Sequence, residues 1–488
     1  MLGIFVTAFV VGVGFLIALG MLAGDARSFA MVWPRAMAFA PGIGMGWTSL
    51  ALFFALHFGL GRSILWLLVP LPAAVSVAWL AKSSRRRAAA APRNERIVSE
   101  GRAAALPRAI LPKTLVTVSW MLAAGLLYVM LGHAWVAHQI NPLGTFDGVA
   151  IWNAHAAFLY RPAAGFQELF RTLEQGHPEY PLLLPGAIAG QFVFLGQEDP
   201  IIPQMTAMAF FLGLTMMIWH SVAALGSKAM ALPAALVVLS TPAVSNFSFS
   251  QSADLPVAYF ALGAAFGLCS QLPGGGRLGA KPVPSFLAGL FVGFLAWTKN
   301  EGVILALLIL AVFLLTYPRS RPRCRRVRRS WRMAVAVAAG VLPAFLALVV
   351  FRVFWASTRE AQAFLGGIAE RAMEHDRWLA IAHAFKCRLN PFCEPDEWGF
   401  FWVLCFTGGL LILWRGTQSL RHTFLISFFL LSLMVYLSFY LITPHDVEWH
   451  LRSSVDRLLL QLAPLLAVWV FAAIQQTMPS SALATNPR

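Results

Sequence analysis

Cysteine is sparse and charge is thin along this chain, and both absences narrow what it can be. Of five cysteines in 488 residues, only Cys387 and Cys393 fall close together. Cys269, Cys324 and Cys405 read as unpaired, and no C-x-x-C or C-x-C-x-x-C pattern offers a metal site. Only 12% of residues are charged against 59% hydrophobic, with a mean hydropathy of +0.70. That balance exceeds what a soluble core of this length hides, so soluble domains are excluded over most of the chain. No G-x-x-x-x-G-K-[ST] or G-x-G-x-x-G run precedes a helix in the right context, which argues against a nucleotide-sugar donor read from the inner face. No exact internal repeat is present either, so an inverted-repeat transporter gains no support.

What is there is a series of about thirteen apolar stretches, plus one short segment at 181–195, each measured against the ~20 residues that cross a bilayer. The expected fold class is an all-α polytopic integral membrane protein of about 13–14 transmembrane segments, with helices lying at the interface. The first stretch, 2–21, has no basic residues before it and is as long as a full span, so it reads as a retained segment and not a signal peptide.

The formal charge of +16 is concentrated in two short loops. One carries Arg85, Arg86, Arg87, Arg93, Arg96, Arg102, Arg108 and Lys113; the other carries Arg319, Arg321, Arg323, Arg325, Arg326, Arg328, Arg329 and Arg332. Basic loops between apolar segments mark the cytoplasmic side, so these runs set topology and meet anionic headgroups, and nucleic acid is not an expected partner. The map that follows has an N-terminal trio of spans over 1–81, a basic cytoplasmic linker at 82–113, a membrane module over 114–475 and a flexible tail at 476–488. Loops 133–180, 356–399 and 443–457 fall on the extracytoplasmic side of a cytoplasmic (inner) membrane.

Within the first loop, Val149, Trp152, Ala156, Phe158 and Leu159 have helical spacing. In the second, Phe364, Leu365, Ile368, Ala372 and Leu379, set among Glu360, Glu370 and Arg377, predict an amphipathic helix resting on the bilayer or covering a site. If Cys387 and Cys393 face an oxidising compartment, they are placed to form a disulfide around Asn390-Pro391-Phe392.

Ionisable groups near bilayer depth are costly, so a gathering of them on one side marks a functional site. The outer side collects Asp147, His155, His177, Glu179, Asp254, Lys299, Glu301, His445, His450, Arg452, Asp456 and Arg457. Four blocks follow in order: Gly144-Thr145-Phe146-Asp147-Gly148, His177-Pro178-Glu179-Tyr180-Pro181, Asp254-Leu255-Pro256, and Thr298-Lys299-Asn300-Glu301-Gly302.

Through these blocks the chain resembles the GT-C superfamily of membrane glycosyltransferases, near the protein-mannosyltransferase and aminoarabinose-transferase type, over roughly 114–468. The resemblance implies a sugar donor carried on polyprenyl phosphate, transfer to an envelope acceptor at the outer membrane face, and a catalytic acid in the first outer loop. Carried over, Asp147 is the base that takes the acceptor proton, or it caps the helix that follows. Arg452, Arg457 and Lys299 bind donor phosphate; alternatively the arginines reach lipid headgroups, or Arg457 pairs with Asp456. Glu179 lies near the phosphate and, with His177, offers a weak divalent-metal pair; no other cofactor is implied.

Asp254 organises the site or caps its span, and Glu301 is a further site-organising or sugar-binding candidate. Asn153 and Trp152 shape a sugar pocket, although interface anchoring is an equally ordinary role for a tryptophan and for Tyr180. The departure from the pattern is Gly148, which stands where the best-known mannosyltransferases have a second acid. A transporter or flippase of a lipid-linked or small polar substrate is the competing reading, and a non-catalytic scaffold the third. The sequence leaves the sugar, the acceptor and the oligomeric state open.

Overall fold

The computed structural model describes residues 1–23, 29–90, 113–162, 165–173, 176–226, 228–272, 282–317, 326–357, 366–393, 395–416 and 419–477. Among them every regular element is helical. We number the principal helices α1 (Leu2–Ala23), α2 (Phe29–His57), α3 (Leu71–Ala90), α4 (Lys113–Ile140), α5 (Ala154–Tyr160), α6 (Phe166–Thr172), α7 (Leu183–Leu195), α8 (Ile201–Leu225) and α9 (Lys228–Leu239). They continue as α10 (Asp254–Cys269), α11 (Pro282–Thr298), α12 (Asn300–Thr316), α13 (Arg326–Phe354), α14 (His375–Leu389), α15 (Phe401–Arg415), α16 (Leu420–Ile442) and α17 (Val447–Thr477). Seven described helices are long and apolar enough to cross a membrane, and six shorter apolar helices of 10–17 residues pack among them. The chain is an all-α membrane protein.

Small residues set the tightest crossings, as they do where helices pack without water to drive them together. At Gly14 an added Cβ would lie 2.1 Å from the Ala40 carbonyl oxygen, and at Gly44 2.2 Å from that of Val10, so α1 and α2 touch backbone to backbone. Gly289 and Gly340 bring α11 and α13 together in the same way, each within 2.2 Å of the opposing carbonyl by that measure.

The N-terminal trio does not form a unit of its own. α2 runs through the body of the bundle, with Gly42 against Tyr259, Gly46 against Phe294, and the Trp297 indole donating to Ser49 Oγ. Segment 181–195 becomes α7, whose 13 residues span about 20 Å at 1.5 Å per residue. That is shorter than the hydrocarbon thickness, and all but two of its residues are buried in protein. After α9 the chain breaks at Thr241, and a short helix, Pro242–Phe247, starts at the proline.

The second long loop differs from the expected register. Its helix divides at Glu374 into Ile368–Met373 and α14, and α14 buries Arg377, Ile381 and Phe385 while Leu379 and Trp378 point outward. Arg377 turns inward because its guanidinium donates to the Tyr440 and Thr443 carbonyls at the end of α16. Cys387 and Cys393 do meet, their sulfurs 3.0 Å apart as free thiols. Phe364, Leu365 and Glu360 lie outside the described residues, as do Cys324, Arg93, Arg96, Arg102, Arg108, Arg319, Arg321, Arg323 and Arg325.

Candidate active site

The loop that carries Asp147 is pinned from one side by the chain at Ser250-Gln251. The Ser250 carbonyl accepts hydrogen bonds from Thr145 N at 3.2 Å and Thr145 Oγ1 at 3.1 Å. Gln251, held at φ 57°, reaches back with Nε2 to the Pro142 carbonyl at 3.0 Å. Such close backbone approach explains the glycines on either side of Asp147. Gly144 adopts φ 81°, and an added Cβ there would fall 2.6 Å from Ser250 O. At Gly148 a Cβ would fall 2.8 Å from Leu143 O and 2.9 Å from Ser250 O, so no second acid fits at that position.

Asp147 does not cap the helix behind it. Its backbone is already helical, at φ −65° and ψ −36°, and its side chain makes no capping hydrogen bond. The residues that follow, Gly148–Asn153, form a π-helical segment before α5, a geometry that recurs at functional sites. The Asp147 carboxylate turns instead to α17, where Oδ2 meets Arg457 Nη1 at 2.6 Å.

Arg457 is shared. Its Nε contacts Asp254 Oδ2 at 2.8 Å, and Asp254 also takes Lys299 Nζ at 3.0 Å and Gln461 Nε2 at 2.8 Å through Oδ1. Asp254 is fully buried and makes no capping bond; the cap position is Ala253, and the acid lies within the first turn of α10. Lys299 sits in the one-residue break between α11 and α12, in extended backbone at φ −159°. The break turns its amine toward both Asp254 and Glu301, whose Oε1 is 2.8 Å away. Three carboxylates, Asp147, Asp254 and Glu301, thus alternate in space with two cations, Arg457 and Lys299.

A second group abuts this network. Trp152, Tyr180 and His177 stack in order, with ring centroids 5.6 Å and then 4.6 Å apart. Lys299 Nζ lies 5.7 Å from the centroid of the Tyr180 ring. His177, strained at φ 52°, has Nδ1 3.1 Å from Glu179 Oε1. Glu179 is buried and acts electrostatically on Arg352 of α13, which hydrogen-bonds Asn300 beside Lys299.

The structure therefore brings together Asp147, Glu179, Asp254, Lys299, Glu301, Arg457, His177 and Trp152. It does not bring in Arg452, which is 81% exposed and paired along the helix with Glu448. Nor does Arg457 pair with Asp456, whose two oxygens are held by Arg388 and Trp398. Asn153 serves the loop, with Nδ2 donating to Leu143 O and Gln251 Oε1. Trp152 is fully buried, so it is neither an interface anchor nor an open platform for a sugar; it supports Tyr180 from beneath. His177 and Glu179 give two potential metal ligands, and no group of three His, Cys, Asp or Glu suited to a metal ion exists among the described residues. The donor set does not fit a metal site.

Sequence reasoning missed Gln461, Gln251 and Arg352. Gln461 had a readable signal, since it lies one helical turn past Arg457 and an amide inside an apolar span needs a partner.

His155, behind Trp152 in the first loop, is buried against Phe170 and Phe158. Burial first, and then the nearby His177, pull its pKa down from the ordinary 6.5 to about 4. The folded ring thus stays neutral where the unfolded ring takes up a proton, so the stability present above 6.5 is lost as pH falls toward 4. The loss amounts to roughly 3 kcal/mol. Melting curves in detergent between these pH values should show it, and His155→Phe should flatten the dependence; an equally steep curve in the variant would assign it to other groups.

Comparison with known families, curated proteins and solved structures returns no match to this chain.

Proposed function

We propose that this protein is a membrane glycosyltransferase of the GT-C type, with 13–14 crossing segments and its site at the extracytoplasmic rim of the cytoplasmic membrane. It moves a sugar from a polyprenyl-phosphate donor to a hydroxyl of an envelope lipid, glycan or protein. The observation that carries this reading is the 2.6 Å contact between Asp147 and Arg457. One spot then holds both a carboxylate suited to take a proton and a guanidinium fork suited to phosphate oxygens.

In the reaction the acceptor oxygen bonds to the anomeric carbon as the carbon–oxygen bond to phosphate breaks. The bonding pair leaves with polyprenyl phosphate, and the acceptor proton goes to Asp147. A single displacement of this kind needs one base and inverts the anomeric centre. Arg457, with Lys299 behind it, faces the charge that builds on the leaving phosphate. Arg452 has no part in this scheme, because its exposed guanidinium lies outside the cluster.

A transporter reading expects ionisable groups deep within the spans. The network here is built at helix ends: the first turns of α10 and α12, the break between α11 and α12, and the third turn of α17. That placement favours chemistry at a rim. The test is lipid analysis of cells with and without the protein. Loss of the protein should cause a polyprenyl-phosphate sugar to accumulate while one envelope component loses that sugar; unchanged lipid-linked sugars would remove the proposal.

A further inference from the structure

The charge network is closed on itself. Arg457 holds two carboxylates, Asp147 and Asp254, and Lys299 holds two, Asp254 and Glu301. Within that set, three negative charges face two positive ones, so an incoming anion meets no unsatisfied cation. It gains the full positive charge of a cation there by displacing a carboxylate.

The three carboxylates are not equally displaceable. Asp254 is fully buried and holds Lys299, Arg457 and Gln461 at once, so moving it takes one partner from each of two cations and the acceptor from an amide. Glu301 is anchored in the first turn of α12, with an 18% exposed side chain, and touches Lys299 and not Arg457. Asp147 is the most exposed of the three at 24%, and among the described residues Arg457 is its one ion-pair partner. It also borders the π-helical segment Gly148–Asn153 and precedes a glycine, the least regular backbone in the cluster.

We infer that Arg457 exchanges partners during turnover: a prenyl-linked phosphate displaces Asp147 from the guanidinium, and only then is Asp147 free to act as a base. This deepens the proposed function and rests on it. In the resting protein the 2.6 Å contact engages Oδ2 and turns the Asp147 carboxylate toward Arg457; its release leaves both oxygens free to turn to an acceptor hydroxyl. Arrival of the donor therefore arms the base, and without donor the site stays closed. Arg457 loses no charge partner in the exchange, because phosphate takes the place Asp147 leaves while Asp254 stays bound. The product, a phosphate monoester bearing about −1.5 to −2 charges, competes for Arg457 better than the singly charged donor. Its departure is what restores the Asp147 pair.

The test is binding of farnesyl phosphate to the purified full-length protein in detergent, with farnesol and inorganic phosphate as parallel probes. Asp147→Asn, which keeps shape and removes charge, is expected to bind farnesyl phosphate at least tenfold more tightly than wild type although it cannot turn over. Asp147→Ser should do the same if the asparagine variant folds poorly. Glu301→Gln, which leaves Arg457 untouched, is expected to shift binding less than threefold, and Arg457→Gln to weaken it at least tenfold. Farnesyl phosphate should bind more tightly than inorganic phosphate, and farnesol should show no response to either aspartate variant.

Four results would overturn the exchange. Asp147→Asn could bind no more tightly than wild type while Arg457→Gln still weakens binding, or Glu301→Gln could tighten it as much as Asp147→Asn. Inorganic phosphate binding as tightly as farnesyl phosphate would reassign the site to a free anion. If Arg457→Gln binds like wild type, the phosphate assignment in the proposed function fails, and the exchange fails with it.

Discussion

Replacing Asp147 with asparagine is expected to lower sugar transfer about a thousandfold, within the range that a lost general base produces. Membranes from cells carrying the variant, supplied with lipid-linked donor from a strain lacking the protein, provide the assay. The loss should fall on kcat, with KM for the donor unchanged or lower, because the asparagine removes the proton acceptor and also the competitor for Arg457. Retention of full activity by a folded Asp147→Asn protein would remove it from the chemistry. Arg457→Lys should be damaging too: an ammonium is a single point of charge and does not reproduce the planar fork now divided between Asp147 and Asp254.

Asp254→Ala should produce the largest change in stability. Its carboxylate is the shared partner of Lys299, Arg457 and Gln461, and Lys299 is itself only 2% exposed. Removing one member of a buried ion network leaves a desolvated charge behind and costs about 3–5 kcal/mol. For a chain of this size that is a fall of roughly 5 °C in the detergent melting temperature. Adding Lys299→Met should cost less than the same change in the wild-type protein, since one of the ammonium's two partners is already gone and Glu301 remains. If the two substitutions destabilise additively, the pair is not coupled and the network description is wrong.

The helical, membrane-spanning character was legible because it rests on composition and run length, which need no tertiary information. The site was legible in part for a different reason. Asp147, Asp254, Lys299 and Glu301 each stand at the end of an apolar run, where a charge carries a cost that packing must answer. Reading each residue alone set a cap against a catalytic role for Asp147 and against a site-organising role for Asp254; the missing capping bonds remove the cap for both, and their common partner lies on α17. Arg452 and Arg457 look alike in sequence, and five positions on a helix put them about 140° apart, so one turns out to water and the other into the cluster. Local composition holds no trace of that rotation. Likewise nothing local marked Arg377 as the side chain of the second loop helix that is buried against the end of α16.

The path of α2 also bears on how the protein is made. Residues 29–57 leave the ribosome early, yet Ser49 and Gly46 find their mates in Trp297 and Phe294, synthesised some 250 positions afterwards. Contacts so distant along the chain are slow to form. An inserted α2 has α1 beside it from the start, and Ser49 later meets the Leu182 carbonyl, but its seats for Phe294 and Trp297 stay open while the intervening segments emerge. Quality control acting on half-built membrane proteins would meet this helix first, and defects in Phe294 or Trp297 would register as loss of protein before they register as loss of catalysis.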